Sequence, residues 1–277
     1  ADVAGDPRLV PAMRSFVDQQ GVPLLAVRQQ GDKVSITQLR YTTAGVAPPD
    51  TQWVIPLCLR RGANRRCFIM DKRTQAFTID GEGPVFPNPG GTGYYRFELT
   101  ERHWDQLLAY ADDLPGGEAQ ALVDSLWASI RAGRGTIGEM GRLARKLIRH
   151  PDPHAADAPD KALSHMVREG MVGSQGRRFF RMFREHLYVP LLKKYGFDPR
   201  AGVYAQERPA RTQRRVQIVS ALLGTGRGRG LRKQIEEATV AYLAGDKSAL
   251  DPAWLDHALD LYLFERDKGA ARQLVEK

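Results

Sequence analysis

The motifs that would give this chain an activity of its own are missing. Its six histidines (His103, His150, His154, His165, His186 and His257) contain no His-Glu-x-x-His, and with only two cysteines, Cys58 and Cys67, there is no Cys-x-x-Cys. Structural and catalytic zinc sites draw on such spacings, so a self-contained metal site is not expected. His150 and His154 stand four apart, but Pro151 and Pro153 lie between them, and a surface loop is expected there. Glu185-His186 has no second histidine one turn away. Gly-x-Ser-x-Gly is absent, and Ser174, in Gly173-Ser174-Gln175-Gly176, reads as the N-cap of a long helix. The run Gly224 to Gly230 has the glycines of a phosphate loop. It lacks the Gly-Lys-Ser/Thr end, and no strand precedes it. It reads as a flexible connection between two helices, with an anion at the next helix N-terminus as the alternative.

Long apolar runs are missing too. No stretch of about 18 apolar residues occurs, so no membrane span is expected, and Ala1 to Arg8 does not have the basic start and apolar core of a signal peptide. What is present is globular: 42% hydrophobic and 26% charged residues in 277, enough for two domains with separate cores. The net charge of +9 is spread evenly. Residues 1–100 hold 12 Lys+Arg against 9 Asp+Glu, 101–200 hold 16 against 13, and 201–277 hold 13 against 10. A nucleic-acid binder concentrates its excess on one arm or face, so no nucleic-acid partner is expected.

The first third reads as strands. Leu9 to Gln20 is predicted helical, with Met13, Phe16 and Val17 on one side, ended by Gly21 and Pro23. Strands follow at Leu24–Arg28, Lys33–Tyr41 and Trp53–Leu59, where Pro56 argues for an edge or a bulge. Arg66–Met70 and Gln75–Ile79 read as a further hairpin joined at Asp71-Lys72-Arg73. Short strands at this turn spacing mark a small β-sandwich. Cys58 and Cys67 fall on consecutive strands, where a cross-strand disulfide and two buried thiols both fit.

The stretch from Asn88 to Leu99 (N-P-G-G-T-G-Y-Y-R-F-E-L) closes the β part. Its glycines and prolines turn the chain, which re-enters a sheet at Tyr94, and Thr100 sits where an N-cap belongs. From there the period is helical: Trp104, Leu107, Leu108 and Ala111 share a face, as do Ala121, Leu122, Leu126 and Ile130, and Ile137–Ile148 is a third helix. His150 to Pro159 reads as a loop. Helices are then expected at Lys161–Met171, Gln175–Tyr195, Arg211–Leu223, Gly230–Ala244 and Pro252–Arg266. Short helices on short loops are the pattern of stacked antiparallel pairs, an irregular α-solenoid. The fold class is therefore α+β by chain order.

The densest basic feature is Arg177, Arg178, Arg181 and Arg184. Positions 177, 181 and 184 follow i, i+4, i+7 and share one helical face, against an apolar face of Phe179, Phe183 and Leu187. A solvated face is the ordinary explanation. The functional one is a positive wall that meets a carboxylate. Arg211, Arg214 and Arg215 open a later helix.

Three segments in order resemble a known family. They are Phe16-Val17-Asp18-Gln19-Gln20-Gly21-Val22-Pro23 with the strand after it, Trp53-Val54-Ile55-Pro56-Leu57, and Asn88 followed by Gly93-Tyr94-Tyr95-Arg96. Together they are similar to the small β-sandwich that follows the catalytic domain in the aminopeptidase N family of zinc exopeptidases. Tyr195-Gly196-Phe197-Asp198-Pro199 and Leu243-Ala244-Gly245-Asp246 fit that family's helical C-terminal domain, as in the endoplasmic reticulum aminopeptidases. The family often continues Gly-Tyr-Tyr-Arg-Val with Asn-Tyr-Asp, whereas Phe97-Glu98-Leu99-Thr100 stands here.

The resemblance implies residues 1–22 as a linker and short helix from an upstream domain, 23–99 as the β-sandwich and 100–277 as the helical C-terminal domain. It implies a parent enzyme that removes N-terminal residues from peptides, with zinc in an upstream catalytic domain of the same polypeptide. The family's His-Glu-x-x-His and Gly-x-Met-Glu-Asn motifs are missing here, so no catalytic or metal-binding residue is carried over and no cofactor or hydrolase activity is expected of this chain. Its expected role is to cap the active-site cavity and help bind peptide substrate through Arg177, Arg181 and Arg184. The alternative is a stand-alone protein-binding scaffold of the same two parts.

Overall fold

A computed structural model of the chain describes residues 7–265. The chain divides into two compact units, Ala1–Leu163 and Ser164–Lys277.

In the first unit a helix, α1 (Leu9–Val17), precedes seven strands: β1 (Pro23–Gln30), β2 (Lys33–Arg40), β3 (Ile55–Arg61), β4 (Asn64–Met70), β5 (Thr74–Thr78), β6 (Val85–Phe86) and β7 (Arg96–Glu98). They form two sheets, ordered β5-β2-β1-β7 and β4-β3-β6. Alternation builds the interior, with Leu25 and Val27 of β1, Val34 and Ile36 of β2, and Ile55, Leu57 and Leu59 of β3 all buried. Rings meet from one sheet to the other: Phe68 with Phe77 at 4.6 Å, and Phe86 with Phe97 at 5.8 Å.

One strand expectation changes. Arg66–Met70 and Gln75–Ile79 do not form a hairpin: β4 pairs with β3 in one sheet, and β5 pairs with β2 in the other. The Asp71-Lys72-Arg73 connection is a crossover, held by the fully buried Gln38 at the end of β2. The Gln38 amide donates to Trp53 O (2.9 Å) and Lys72 O (3.0 Å), and its Oε1 accepts from Trp53 N (2.8 Å). Pro56 lies on the middle strand of its sheet, yet β6 pairs only with Arg60 and Arg61, so β3 is still an edge at Pro56. Cys58 and Cys67 stand opposite one another on β3 and β4 and are joined in a disulfide, which settles the alternative left by the sequence.

β7 runs parallel to β1 at the edge of its sheet. Helix α3 (Gly116–Arg131) covers that edge, with Ser125 Oγ accepting from Phe97 N at 3.2 Å. Before α3 comes α2 (Glu101–Ala109), capped by Thr100, whose hydroxyl accepts from His103 N at 3.4 Å. Trp104, Leu107, Leu108 and Ala111 are buried, as the period requires. α4 (Ile137–Leu147) opens with a Thr136/Glu139 capping box and packs on α2 and α3.

α5 (Pro153–Arg168) corrects the loop expected over His150–Pro159. Pro153 sits at its first position, where a missing N–H costs nothing. Pro159 lies inside the helix, whose Ala155, Ala156, Ala162 and Leu163 are buried; packing holds it despite one lost bond. The division between the units falls within α5.

The second unit contains α6 (Ser174–Tyr195), α7 (Pro209–Leu223), α8 (Arg229–Leu243) and α9 (Leu255–Glu265). Successive helices pack on one another, α6 with α7, α7 with α8 and α8 with α9. Ile218, Val219, Leu222, Ile235, Trp254 and Ala258 form the interior. The expected last helix extended to Arg266, which lies outside the described residues. Gly173 takes the N-cap of α6, so Ser174 is the first helical residue and not the cap. The expected flexible connection Gly224–Gly230 is a tight turn: Gly228 is buried, a Cβ there would lie 2.0 Å from Leu222 O, and Arg227 N donates to Glu185 Oε1 at 3.0 Å.

Candidate functional site

The loop from Asn88 to Gly93 is built by close approach. Buried Asn88 staples it, donating to Gly93 O (3.1 Å) and accepting from Gly93 N (2.8 Å). Gly91 has φ +67°, and a Cβ on it would lie 2.2 Å from Gly117 O at the start of α3, so only glycine allows the contact. Buried Glu118 of α3 joins the loop to β3: its Oε1 accepts from Gly90 N (3.1 Å) and Arg60 Nε (3.1 Å), and Arg60 Nη2 reaches its other oxygen. The Glu118 bond raises the Arg60 pKa above its ordinary value, against the opposing effect of burial. Tyr95 donates to Pro87 O at 2.8 Å, and burial pushes its phenol well up. These bonds fix the backbone of the Asn88–Gly93 loop against β3 and the start of α3.

A cleft of about 450 Å³ lies elsewhere in the first unit, lined by Gln29, Arg61, Thr100, Arg102, His103 and Gln106 among others. His103 Nε2 donates to Val85 O at 2.7 Å, which leaves Nδ1 as a buried acceptor with no partner among the described residues. Burial holds the His103 pKa below its ordinary value despite the Val85 bond. His150 is buried, with Nε2 on Leu114 O (2.8 Å) and Nδ1 accepting from Asp152 N (3.0 Å), which corrects the surface position expected of it. His154 lies exposed in the first turn of α5. Both buried imidazoles are held by main chain, and among the described residues no group of three or more His, Cys, Asp or Glu converges to hold a metal ion.

In the second unit the arginines expected to share a face of α6 have separate surroundings. Arg177 is exposed and its Nη1 donates to Val172 O at 3.0 Å, just ahead of the helix. Arg184 is half-buried: it donates to Ser164 Oγ, and its guanidinium lies over the Phe180 ring at 4.5 Å. Arg181 and Arg178 are exposed, and neither forms an ion pair among the described residues. Beside them Phe179 is 64% and Met182 59% exposed, with Phe179 stacked on Phe183 at 6.2 Å. Phe183 packs inward as expected, whereas Phe179 does not. Guanidinium groups beside a ring and a thioether offer forked donors to a carboxylate and apolar contact to a neighbouring side chain.

Helical spacing alone does not reveal the role of Arg215, which is fully buried. Its Nε and Nη2 donate to Tyr195 O (3.1 and 3.0 Å), and its Nη1 and Nη2 hold the Glu207 carboxylate at 2.7 and 2.8 Å. The guanidinium carbon lies 3.4 Å from the centre of the Tyr204 ring. Bonding to Arg215, and to a lesser extent Arg211, holds the Glu207 pKa below its ordinary value. The turn after Tyr195 is anchored by Phe197 edge-on to Trp254 (4.9 Å) and by Asp251 N on Pro199 O (2.7 Å). At the end of α8, Asp246 accepts from Ser248 N at 3.0 Å, and bonding to Ser248 lowers its pKa. Tyr195–Pro199 and Leu243–Asp246 are thus helix-ending anchors.

Residues 84–271 match the family described as the ERAP1-like C-terminal domain, and the chain belongs to that family. It is similar to Aminopeptidase M1-A of Oryza sativa subsp. japonica, with 22% identity over 212 residues, covering 72% of this chain and 24% of that protein. It is also similar to Probable aminopeptidase 1 of Sulfurisphaera tokodaii, with 25% identity over 126 residues, covering 45% of this chain and 15% of that protein. The chain therefore spans a quarter or less of the length of these relatives.

Proposed function

We propose that this chain is the non-catalytic C-terminal region of a zinc aminopeptidase that removes N-terminal residues from peptides. The observation that carries the reading is the family match over residues 84–271, together with two relatives named as aminopeptidases. The parent's zinc and its water-activating carboxylate belong to an upstream catalytic domain of the same polypeptide, and no step of hydrolysis is assigned to residues here. Residues 1–22 lead in from that domain, 23–99 form the sandwich that joins it, and 100–277 form the helical domain. Pairwise packing of α6 through α9 supports a short solenoid that caps the active-site cavity.

Within that cap, Arg181 and its neighbour Arg177 bind the carboxylate at the far end of the peptide, and Arg184, held against Phe180 and Ser164, positions the helix face. The support is chemical: Arg181 is exposed and forms no ion pair among the described residues. In the full-length gene product, Arg181→Glu is expected to raise KM for peptides about tenfold, the value of roughly one charge-assisted bond. Hydrolysis of a single-residue anilide, which cannot reach the cap, stays unchanged. Equal KM for peptides in both proteins would remove the carboxylate role. A gene product without an upstream His-Glu-x-x-His would leave the scaffold reading in its place.

A further inference from the structure

The β3–β4 pair turns its alternate residues to two faces. Leu57 and Leu59 of β3 face the core and are buried. The opposite face carries Cys58 against Cys67 and, one same-face pair along, Arg60 against Arg65. The disulfide is therefore outside the core, and both cysteines are half-buried. Both line a pocket of about 240 Å³, with Phe68, Thr92 and Tyr95 among its other walls. The two sulfurs have different surroundings. Arg65 is exposed, forms no ion pair among the described residues, and donates through Nη2 to Cys58 Sγ at 3.8 Å. Arg60, the other cation of this face, is held by Glu118. Cys58 stands on the inner strand, with the Pro89–Gly91 turn packed on that strand. Cys67 stands on the outer strand, whose far edge pairs with no further strand among the described residues.

We propose that Cys58–Cys67 is a thiol-exchange site, open to dithiol reductants in the folded chain, with Cys67 the sulfur attacked and Cys58 the leaving thiolate. Exchange brings a thiolate in line with the bond it breaks. The bridge spans from β3 to β4, so the line to Cys67 Sγ comes in past the free edge of β4. The line to Cys58 Sγ comes in over β3, on the side of the Pro89–Gly91 turn. The leaving group gives the same direction, because a guanidinium beside a sulfur favours its thiolate, and the more acidic thiol leaves faster. In the first step the dithiol's thiolate bonds to Cys67 Sγ, the Cys58–Cys67 bond breaks, and its electron pair goes to Cys58 Sγ beside Arg65. In the second, the dithiol's other thiol loses its proton to water and attacks the dithiol sulfur of the mixed disulfide, releasing Cys67 as thiolate. The dithiol ends as a disulfide and the two cysteines end reduced. Reduction removes the covalent tie between β3 and β4 at the wall of the pocket.

Reduced glutathione reads the direction of attack, since a monothiol stops at the mixed disulfide. The native chain is exposed to it briefly, quenched with acid, capped with a maleimide and analysed by peptide mass spectrometry. The early adduct is expected on Cys67, with the maleimide on Cys58, about tenfold over the reverse pattern. Adduct mainly on Cys58, or no adduct until denaturant opens the fold, would overturn the proposal. Arg65→Gln changes an exposed side chain and leaves the core untouched. It is expected to slow reduction by dithiothreitol about threefold, the effect of roughly one pH unit in the acidity of a leaving thiol. A second readout separates this from simple attraction of the incoming thiolate. In a Cys67→Ser chain, the pH midpoint for alkylation of Cys58 by neutral iodoacetamide should rise by about one pH unit when Arg65→Gln is added. An unchanged midpoint would remove Arg65 from the leaving group and overturn the proposal.

Discussion

Each unit has an arginine–glutamate pair with one buried member, Glu118 in the first and Arg215 in the second, and the two pairs do different work. Arg60 and Glu118 lie 58 positions apart, one on a strand and one on a helix, and with Gly90 N they stitch three segments together. Arg215 and Glu207 lie eight positions apart, and Arg215 donates both to the Glu207 carboxylate and to Tyr195 O. That carbonyl is the last of α6 and has no partner within its own helix. The difference follows from what each architecture leaves unsatisfied. A sheet has edges and long connections, so its polar staples run between layers. A helix satisfies its own middle, so staples gather at its ends, where a cation also suits the negative end of the dipole.

The largest expected effect breaks the second staple. Glu207→Ala leaves a fully buried guanidinium with Tyr195 O and the Tyr204 ring but no counter-charge, and a cost of about 4 kcal/mol is expected for an uncompensated buried charge. Hydrogen exchange should show opening at Tyr195–Pro199 and the start of α7, while the 88–93 loop keeps its protection. Glu118→Ala is the counterpart and is expected to cost less, about 3 kcal/mol, because the Arg60 side chain is 26% exposed and finds water. Its opening should be confined to the 88–93 loop, the end of β3 and the first turn of α3. If Glu207→Ala also opened the first unit, the staples would not be local and the contrast between them would fail.

Much of the scaffold is legible in the amino-acid order. The strands at β1 to β5, the cap at Thr100 and the faces of α2 to α4 follow from period and punctuation, which are local properties. Gln38, His103, Glu118 and Arg215 do not stand out as interior residues, although each carries a signal. Gln38 continues the Val34, Ile36 alternation; His103 stands one turn before Leu107, Glu118 one turn before Leu122, and Arg215 in phase with Ile218, Val219 and Leu222. A polar residue in phase with an apolar face is a buried polar residue whose partner is elsewhere, and the partner is what a single sequence does not show. The split of the strands at β4 and β5 escapes the pattern for the same reason, since the partner of β5 lies more than thirty residues back. For the candidate site, helical spacing places Arg177, Arg181 and Arg184 together. That Arg184 is taken up by Ser164 and Phe180 depends on residues outside that spacing.

The smallest expected effect sharpens the comparison through pH. Burial lowers the His103 pKa, so between the folded value and the unfolded value of about 6.5 only the unfolded chain takes up the proton. Stability of the first unit is therefore full above about pH 6.5 and falls as pH drops below it. The Glu207 carboxyl is also lowered, by its bonds to Arg215, and its contribution is full above the ordinary carboxylate range and lost only as pH falls through its depressed value. His257 of α9, lowered by burial against the raising effect of Asp260 and Asp256, adds a histidine response of the same sign in the second unit. Replacing His103 with Gln keeps a donor for Val85 O and removes the titration. Denaturant midpoints measured from about pH 7.5 to 5.5, a window that brackets the unfolded histidine value, should fall less steeply in His103→Gln than in the native chain, with the difference confined to the first unit. Parallel slopes would mean that His103 takes up its proton without unfolding, and the Nδ1 left bare in the fold would then have to be open to water.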